Sequence, residues 1–391
     1  MLSQRVRIGV FVVEGLNSFV VTFYFYYFYF FTHTQFGFDN KANLIAAAAS
    51  GLACVPAAVF GGRFAQRAGY FTALKVGISV MFGALSCGVF LAGTAAAHVA
   101  AMIVFGVGMC FTWAPLEALV SEGETYARLQ HNIGIYNVVW ASTSALAYFT
   151  GGAILDRFGL KSLFFVPMAI LATQLAMTFL LHRAAKRFPH VAVPAPAESL
   201  RRPDHKPEHS RAFLRMAWLA NPFSYIAVNT LVAVVPGVAA RLNLSTTLAG
   251  FCCSAWCFAR LGAFFGLWLW PGWHYRFRWL LTAYLVLITS FVAILRIPNL
   301  ATIIAAQILF GSAVGLIYYS SLFYSMDVGD TKGEHGGLHE ATIGLGNFAG
   351  PALGAASLQF YPQYTTNGAL AVGALLMCGL GGLLAIWRRM R

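Results

Sequence analysis

Charged residues are scarce in this chain. Asp, Glu, Lys and Arg together make up 10% of its 391 residues, where soluble domains carry about 25%. Acid is scarcer than base, with 13 Asp and Glu against 26 Lys and Arg. So little charge cannot clothe a water-soluble fold. Segments of about ten residues with alternating polarity, the mark of an outer-membrane barrel, are missing too. The seven cysteines all fall inside apolar stretches, so no disulfide framework is implied. Cys253 and Cys257, one turn apart, read as small residues between packed helices rather than as metal ligands. The chain has no Ser/His/Asp constellation, and "HGGLHE" at 335–340 is too loose for a metal site. An enzyme is therefore not expected, nor a cofactor or a resident metal.

Apolar residues dominate instead, at 59% of the chain, and the mean hydropathy is +0.69. The apolar stretches approach the roughly 20 residues that cross a bilayer as a helix. Twelve spans are expected, at 8–31, 43–61, 71–93, 97–120, 132–154, 162–182, 213–237, 247–270, 278–296, 300–324, 337–359 and 367–387. The first span is too long for a signal-peptide core and is expected to be retained. One connection stands out, "HRAAKRFPHVAVPAPAESLRRPDHKPEHSR", rich in Pro, His and charge. It divides the chain into a six-helix bundle at 1–182, a cytoplasmic linker at 183–211 and a second six-helix bundle at 212–391.

The net charge of +13 invites a nucleic-acid reading, but its distribution argues for a bilayer. With the N-terminus inside, Lys and Arg fall four to one on the inner loops, as the positive-inside rule requires. Both termini are thus expected in the cytoplasm, in the cell (inner) membrane, with no nucleic-acid partner and a monomeric chain.

The halves echo each other at offsets of 203–205 residues. "EGLNSF" (14–19) matches "WLANPF" (218–223), "RAGY" (67–70) matches "WPGW" (270–273), "FG" (105–106) matches "FG" (310–311), and "TSALAYFTGG" (143–152) matches "GNFAGPALGA" (346–355). Parallel halves about a midplane site are a transporter architecture.

The loop "GGRFAQRAGY" (61–70) resembles the signature of the major facilitator superfamily between its second and third spans. Gly62, Arg67 and Gly69 match, while Gln66 stands where the family has Asp. "GAILDRFGLK" (152–161), with Asp156 and Arg157, is a second copy after the fifth span, as expected if each half is two inverted three-helix repeats. The resemblance implies an all-α integral membrane fold of twelve helices in a 6+6 pseudo-repeat. It also implies transport by alternating access and a conformational latch at Gly62, Gln66, Arg67, Gly69, Asp156 and Arg157. Spans 1, 4, 7 and 10 would line the central cavity, with 2, 5, 8 and 11 flanking it. The eleventh span keeps much of the family's antiporter signature, as Gly346, Gly350, Pro351 and Gly354, which helix packing also explains. "APLEA" (114–118) with Trp140 is similar to the lactose-permease branch.

Charged groups inside spans cost roughly 2.5–3.5 kcal/mol on insertion scales and tend to face a cavity or a partner. Glu14 is the candidate for proton coupling, because a carboxyl whose surroundings change with conformation binds its proton differently in each state. Arg260 suits an anionic substrate group, or else a buried pair with a glutamate. Glu117 and Glu340 lie nearer the inner surface. Polar stripes run along Asn221, Tyr225 and Asn229, along Asn132, Tyr136 and Trp140, along Tyr318, Ser321 and Ser325, and from Glu340 to Asn347. Asn17, Trp113, Asn137 and Trp256 complete the candidate substrate contacts. "FYFYYFYFF" (23–31) is expected at the outer headgroup level, where rings with polar tips are at home, and Tyr24 continues the Glu14–Asn17 stripe as a possible contact. These features point to proton-coupled secondary transport of a small polar organic solute: a sugar, nucleoside or organic acid. A proton-driven exporter of lipophilic compounds, and a non-transporting receptor or scaffold on the same fold, are the alternatives.

Overall fold

A computed structural model describes residues 3–90, 94–121, 124, 126–187, 207–328, 332–362 and 367–390. Among them the chain is helical, with no strand. The helices are α1 (Gln4–Phe36), α2 (Asn40–Ala68), α3 (Tyr70–Phe90), α4 (Ala95–Ser121), α5 (Tyr126–Phe158), α6 (Ser162–Arg187) and α7 (Pro207–Arg241). There follow α8 (Thr246–Cys253), α9 (Ala255–Leu269), α10 (Phe277–Arg296), α11 (Leu300–Val328), α12 (Lys332–Phe360) and α13 (Asn367–Met390). Each expected span coincides with one helix, except that the eighth is α8 and α9 in succession.

Eleven of these spans are long and apolar enough to cross a membrane. The remaining one, α12, has the length without the hydropathy, because it opens on the polar "KGEHGGLHE" and Gly, Asn and Pro dilute the apolar residues that follow. The protein is an integral membrane protein. The ends of the expected linker are helical, since α6 continues to Arg187 and α7 starts at Pro207; residues 188–206 of that linker lie outside the described residues.

Local chemistry sets the helix ends. Ser3 and Asp39 cap α1 and α2 by accepting from the Val6 and Ala42 amides. Gly69 and Gly159, 90 residues apart, both take positive φ, +90° and +79°, a conformation open to glycine. The two copies of the loop signature thus make the same turn at opposite ends of the first half. Between α8 and α9 a side chain enters the backbone ladder. The Gln307 amide donates to the Cys252 carbonyl at 3.1 Å, an oxygen that an unbroken helix offers to Trp256. Such an insertion is a known cause of helix breaks.

The halves meet along two seams. One joins α2 and α12, where backbone touches backbone: Gly51 faces Asn347 and Phe348, Gly344 faces Val55, and Gly62 faces Gly333 and Gly337. Small residues let membrane helices approach this closely. The other seam joins α5 to α8 and α9, with Gly152 against Thr246 at the end away from the N-terminus, here termed outer, and Gly134 against Trp268 at the end that holds it, here termed inner. Gly346 and Gly350 pack within the second half against the α7 backbone, in keeping with a packing role for that motif.

The aromatic run departs from its expected place. Phe23, Tyr24, Tyr27, Phe28, Tyr29, Phe30 and Phe31 are buried in protein, and Phe25 and Tyr26 are half-buried. The reason is topological: α1 lies against α4, α5, α6 and α7, so little of its surface remains for lipid headgroups. The Tyr27 hydroxyl donates to the Tyr148 carbonyl.

Candidate functional site

Between the halves lies a cavity of about 110 Å³. Its walls come from α1, α2, α4, α5, α7, α9, α11 and α12. In order of span these are 1, 2, 4, 5, 7, 8, 10 and 11, the set expected to line and flank the centre. Among the described residues, the third, sixth, ninth and twelfth spans contribute nothing to it.

Of the sequence candidates, Trp113, Trp140, Tyr225, Asn229, Arg260, Tyr318, Glu340 and Asn347 line the cavity. The α1 wall is a different stripe from the expected one. Val21, Thr22, Phe25, Tyr26 and Tyr29 face the cavity, spaced as one helix face. Tyr24 points away from it and packs on Phe105 at 4.5 Å and on Phe164 at 6.1 Å. Starting the i, i+3, i+4, i+7 count from Thr22 rather than Glu14 would have picked out the wall.

Arg260 sits near the middle of its span and is 2% exposed. No carboxylate among the described residues lies within 4 Å of it, so the glutamate pairing weighed from sequence is not made. Two indoles hold the guanidinium instead, Trp140 at 4.1 Å and Trp256 at 4.8 Å. Desolvated contacts of this kind are worth about 2 kcal/mol. They accept the flat faces of the cation and leave its edge for hydrogen bonds. The Arg260 Nε donor has no partner among the described residues. Trp256 therefore acts beneath Arg260 rather than in the cavity wall.

Trp140 continues the stack onto Tyr318, with centroids 4.6 Å apart and 15° between planes. Tyr318 meets His339 edge-on at 5.2 Å. Opposite, the Asn229 amide donates to Asn347 Oδ1 and, at 3.3 Å, to the Tyr225 carbonyl. The wall thus offers aromatic faces, two amides, one guanidinium and the Glu340 carboxyl.

An acidic group gathers toward the inner end. Glu117 of α4 lies 3.9 Å from His339 Nε2, and Glu340 lies 4.0 Å from the same nitrogen. His339 Nδ1 is hydrogen-bonded to Ser321 Oγ at 2.9 Å. The sequence reading set His339 aside with "HGGLHE" because its partners come from α4 and α11; the adjacent Glu340 was the available signal. Glu14 is fully buried near Tyr136, and its Oε1 accepts from Ser18 Oγ at 2.8 Å. Its other oxygen has no partner among the described residues.

The remaining candidates lie outside the cavity wall. Asn17 bridges Thr112 and Gln174. Asn221 donates to Thr342. Tyr136, Asn137 and Ser321 are buried in the protein, off the lining. The polar atoms of Asn17, Asn221 and Ser321 serve helix contacts, the bland alternative for polar groups inside membranes.

The latch residues divide between the two ends. Inside, the Gly333 amide donates to Gln66 Oε1 at 3.2 Å, and the Tyr70 hydroxyl donates to the same oxygen at 3.0 Å. Outside, Thr247 donates twice to Asp156 Oδ2, from its amide at 3.0 Å and its hydroxyl at 2.6 Å. Each clip joins the first half to the second. Arg67 and Arg157 are exposed, and Gly69 shapes the turn. Lys41 donates to Gln359 at 3.2 Å, a further outer contact. The cavity is therefore bounded at both ends by contacts between the halves.

The family model for the Major Facilitator Superfamily matches residues 2–147. No curated protein sequence matches the chain. Among solved structures, the human organic anion transporter MFSD10 (TETRAN) superposes with a TM-score of 0.66 at 14% identity, covering 99% of both chains. The nucleoside transporter NupG gives 0.65 at 12% identity, covering 97% of this chain and 99% of the other. A bacterial homologue of the human lysosomal transporter Spinster, inward-facing and unoccupied, gives 0.62 at 13% identity, covering 99% and 95%. Likeness at such identities speaks to fold alone. The chain is thus similar to the Major Facilitator Superfamily over its opening helices and shares the fold of these solved structures along its whole length.

Proposed function

We propose that the protein is a proton-coupled secondary transporter of a small organic anion. The observation that carries this reading is Arg260, a permanent cation in the cavity wall with indoles on its faces and no carboxylate beside it. A buried charge at mid-membrane depth is retained at a cost and marks a substrate or ion path. A carboxylate or similar anion would take the free edge of the guanidinium, and the aromatic walls would take its carbon skeleton. The similarity to a structure titled an organic anion transporter supports the same class.

Proton coupling rests on Glu14, buried and with one oxygen unpartnered. Substrate and proton would be exposed alternately as the inner and outer clips open in turn. The even number of crossings and the basic inner loops support both termini in the cytoplasm. The Asn229 and Asn347 amides beside aromatic faces favour a second reading, a neutral planar solute such as a nucleoside.

The test is uptake into proteoliposomes with an acidic exterior, using pairs matched in shape, such as benzoate with benzamide and shikimate with its methyl ester, plus nucleosides. Saturable uptake of the anions, absent for their neutral partners and abolished by a protonophore, is expected. Transport of nucleosides with no discrimination by charge would replace the anion reading with the second one.

A further inference from the structure

The inner-end cluster has the make-up of a metal site. We propose that Glu117, His339 and Glu340 bind a divalent first-row transition-metal ion that ties the two halves together. The proposal does not depend on the identity of the transported solute.

The donor set is two carboxylates and one imidazole. Imidazole disfavours the purely oxygen-seeking Mg²⁺ and Ca²⁺, and the lack of sulfur disfavours Cu(I). Zn²⁺, Co²⁺, Fe²⁺ and Mn²⁺ suit nitrogen and carboxylate oxygen together. One ligand atom from each residue lies within 4.8 Å of the other two. Ligands about 2.1 Å from one ion stand at most about 4.2 Å apart. The two histidine–carboxylate separations, 3.9 and 4.0 Å, already fall inside that limit. The carboxylates need to approach by at most about 0.6 Å, within reach of a side-chain rotation.

Two further observations point to a missing ligand. His339 Nε2 and both Glu117 oxygens have no hydrogen-bond partner among the described residues, and the side chains are 0% and 1% exposed. Buried polar atoms are otherwise nearly always partnered. Ser321 also holds His339 Nδ1 at 2.9 Å, which fixes the ring so that Nε2 faces the carboxylates. Such an outer partner is the usual companion of a ligating histidine.

Glu117 stands on α4 and the other two ligands on α12, so the site exists only while the halves meet at the inner end. A ligand that binds one conformation shifts the population toward it. The ion would therefore hold the inner end shut and slow transport.

The experiment titrates Co²⁺ and Zn²⁺ into the purified full-length protein, following heat and the visible absorption of Co²⁺. One ion per chain, with the spectral signature of nitrogen ligation, is expected. Glu117→Gln and His339→Gln should each weaken binding at least tenfold, and Ser321→Ala by roughly 10- to 100-fold. His335→Gln, altering the other histidine of "HGGLHE", should leave the affinity unchanged. Should His339→Gln prove misfolded, the isosteric Glu117→Gln carries the decision. Absence of stoichiometric binding, or unchanged affinity in a folded Glu117→Gln protein, overturns the site.

Discussion

Replacing Arg260 with Gln separates binding from stability, and the structure gives a size for each. Hydrogen bonds to a charged group contribute about 1.5–3 kcal/mol, so losing the guanidinium should weaken binding of an anionic ligand about 10- to 140-fold. Stability should respond differently. The contacts to Trp140 and Trp256 are worth about 2 kcal/mol each when desolvated, while removing the cation relieves about 2.5–3.5 kcal/mol of burial cost. These nearly cancel, and the ligand-free Tm should move by only a few degrees. Arg260→Lys keeps the charge but loses the flat fork, and should fall between the two. The assay is a Tm titration of wild type, Arg260→Gln and Arg260→Lys with an anion and its neutral analogue. Wild-type affinity in Arg260→Gln would refute the reasoning. So would an equal loss for the neutral analogue, since Arg260 would then merely shape the wall.

Further outcomes follow from the same geometry. Glu14→Gln should abolish uphill accumulation in a pH gradient and retain downhill exchange; equal accumulation by the mutant would remove Glu14 from coupling. Tyr26→Phe, on the cavity face, should raise KM severalfold, whereas Tyr24→Phe, packed on Phe105 and Phe164, should leave KM unchanged. A side chain at Gly62 would meet the Gly333 carbonyl at 2.7 Å and Gly337 Cα at 2.8 Å, so Gly62→Val should hinder inner closure. The readout is accessibility of an inner-face cysteine probe, expected to rise. Asp156→Asn weakens the outer clip by about 1 kcal/mol and should raise the accessibility of an outer-face probe by up to about fivefold.

Spans were legible in the sequence because burial in lipid demands long apolar helices. Close helix contacts demand small residues, and Gly346 and Gly350 announce themselves in this way, whereas Gly62 was read as part of the latch and its contact with Gly333 and Gly337 needed the fold. Arg260, Trp140, Tyr225 and Asn229 were legible because polar groups deep in apolar spans have few other reasons to exist. Tyr24 misled for a specific reason: α1 is wrapped on most sides, so several of its faces carry large side chains, and periodicity does not say which face meets the cavity. The aromatic run misled likewise, since rings suited to a headgroup region pack equally well in a protein interior. His339 was hidden because its meaning depends on Glu117, more than two hundred residues earlier. Only the approach of α4 to α12 brings them together.

The interruption at Ser254 gives the eighth span a pivot. Its outer segment, α8, holds Thr247 of the outer clip, and its inner segment, α9, holds Arg260 on its indoles. An unbroken rod would pass every tilt at the outer face on to the cation. A rod jointed at Ser254, where Gln307 of α11 takes up the Cys252 carbonyl, need not, so α8 can swing as a flap while α9 stays seated. Solute entering from outside would then find the guanidinium already oriented, and the gate's motion would be uncoupled from the geometry of capture.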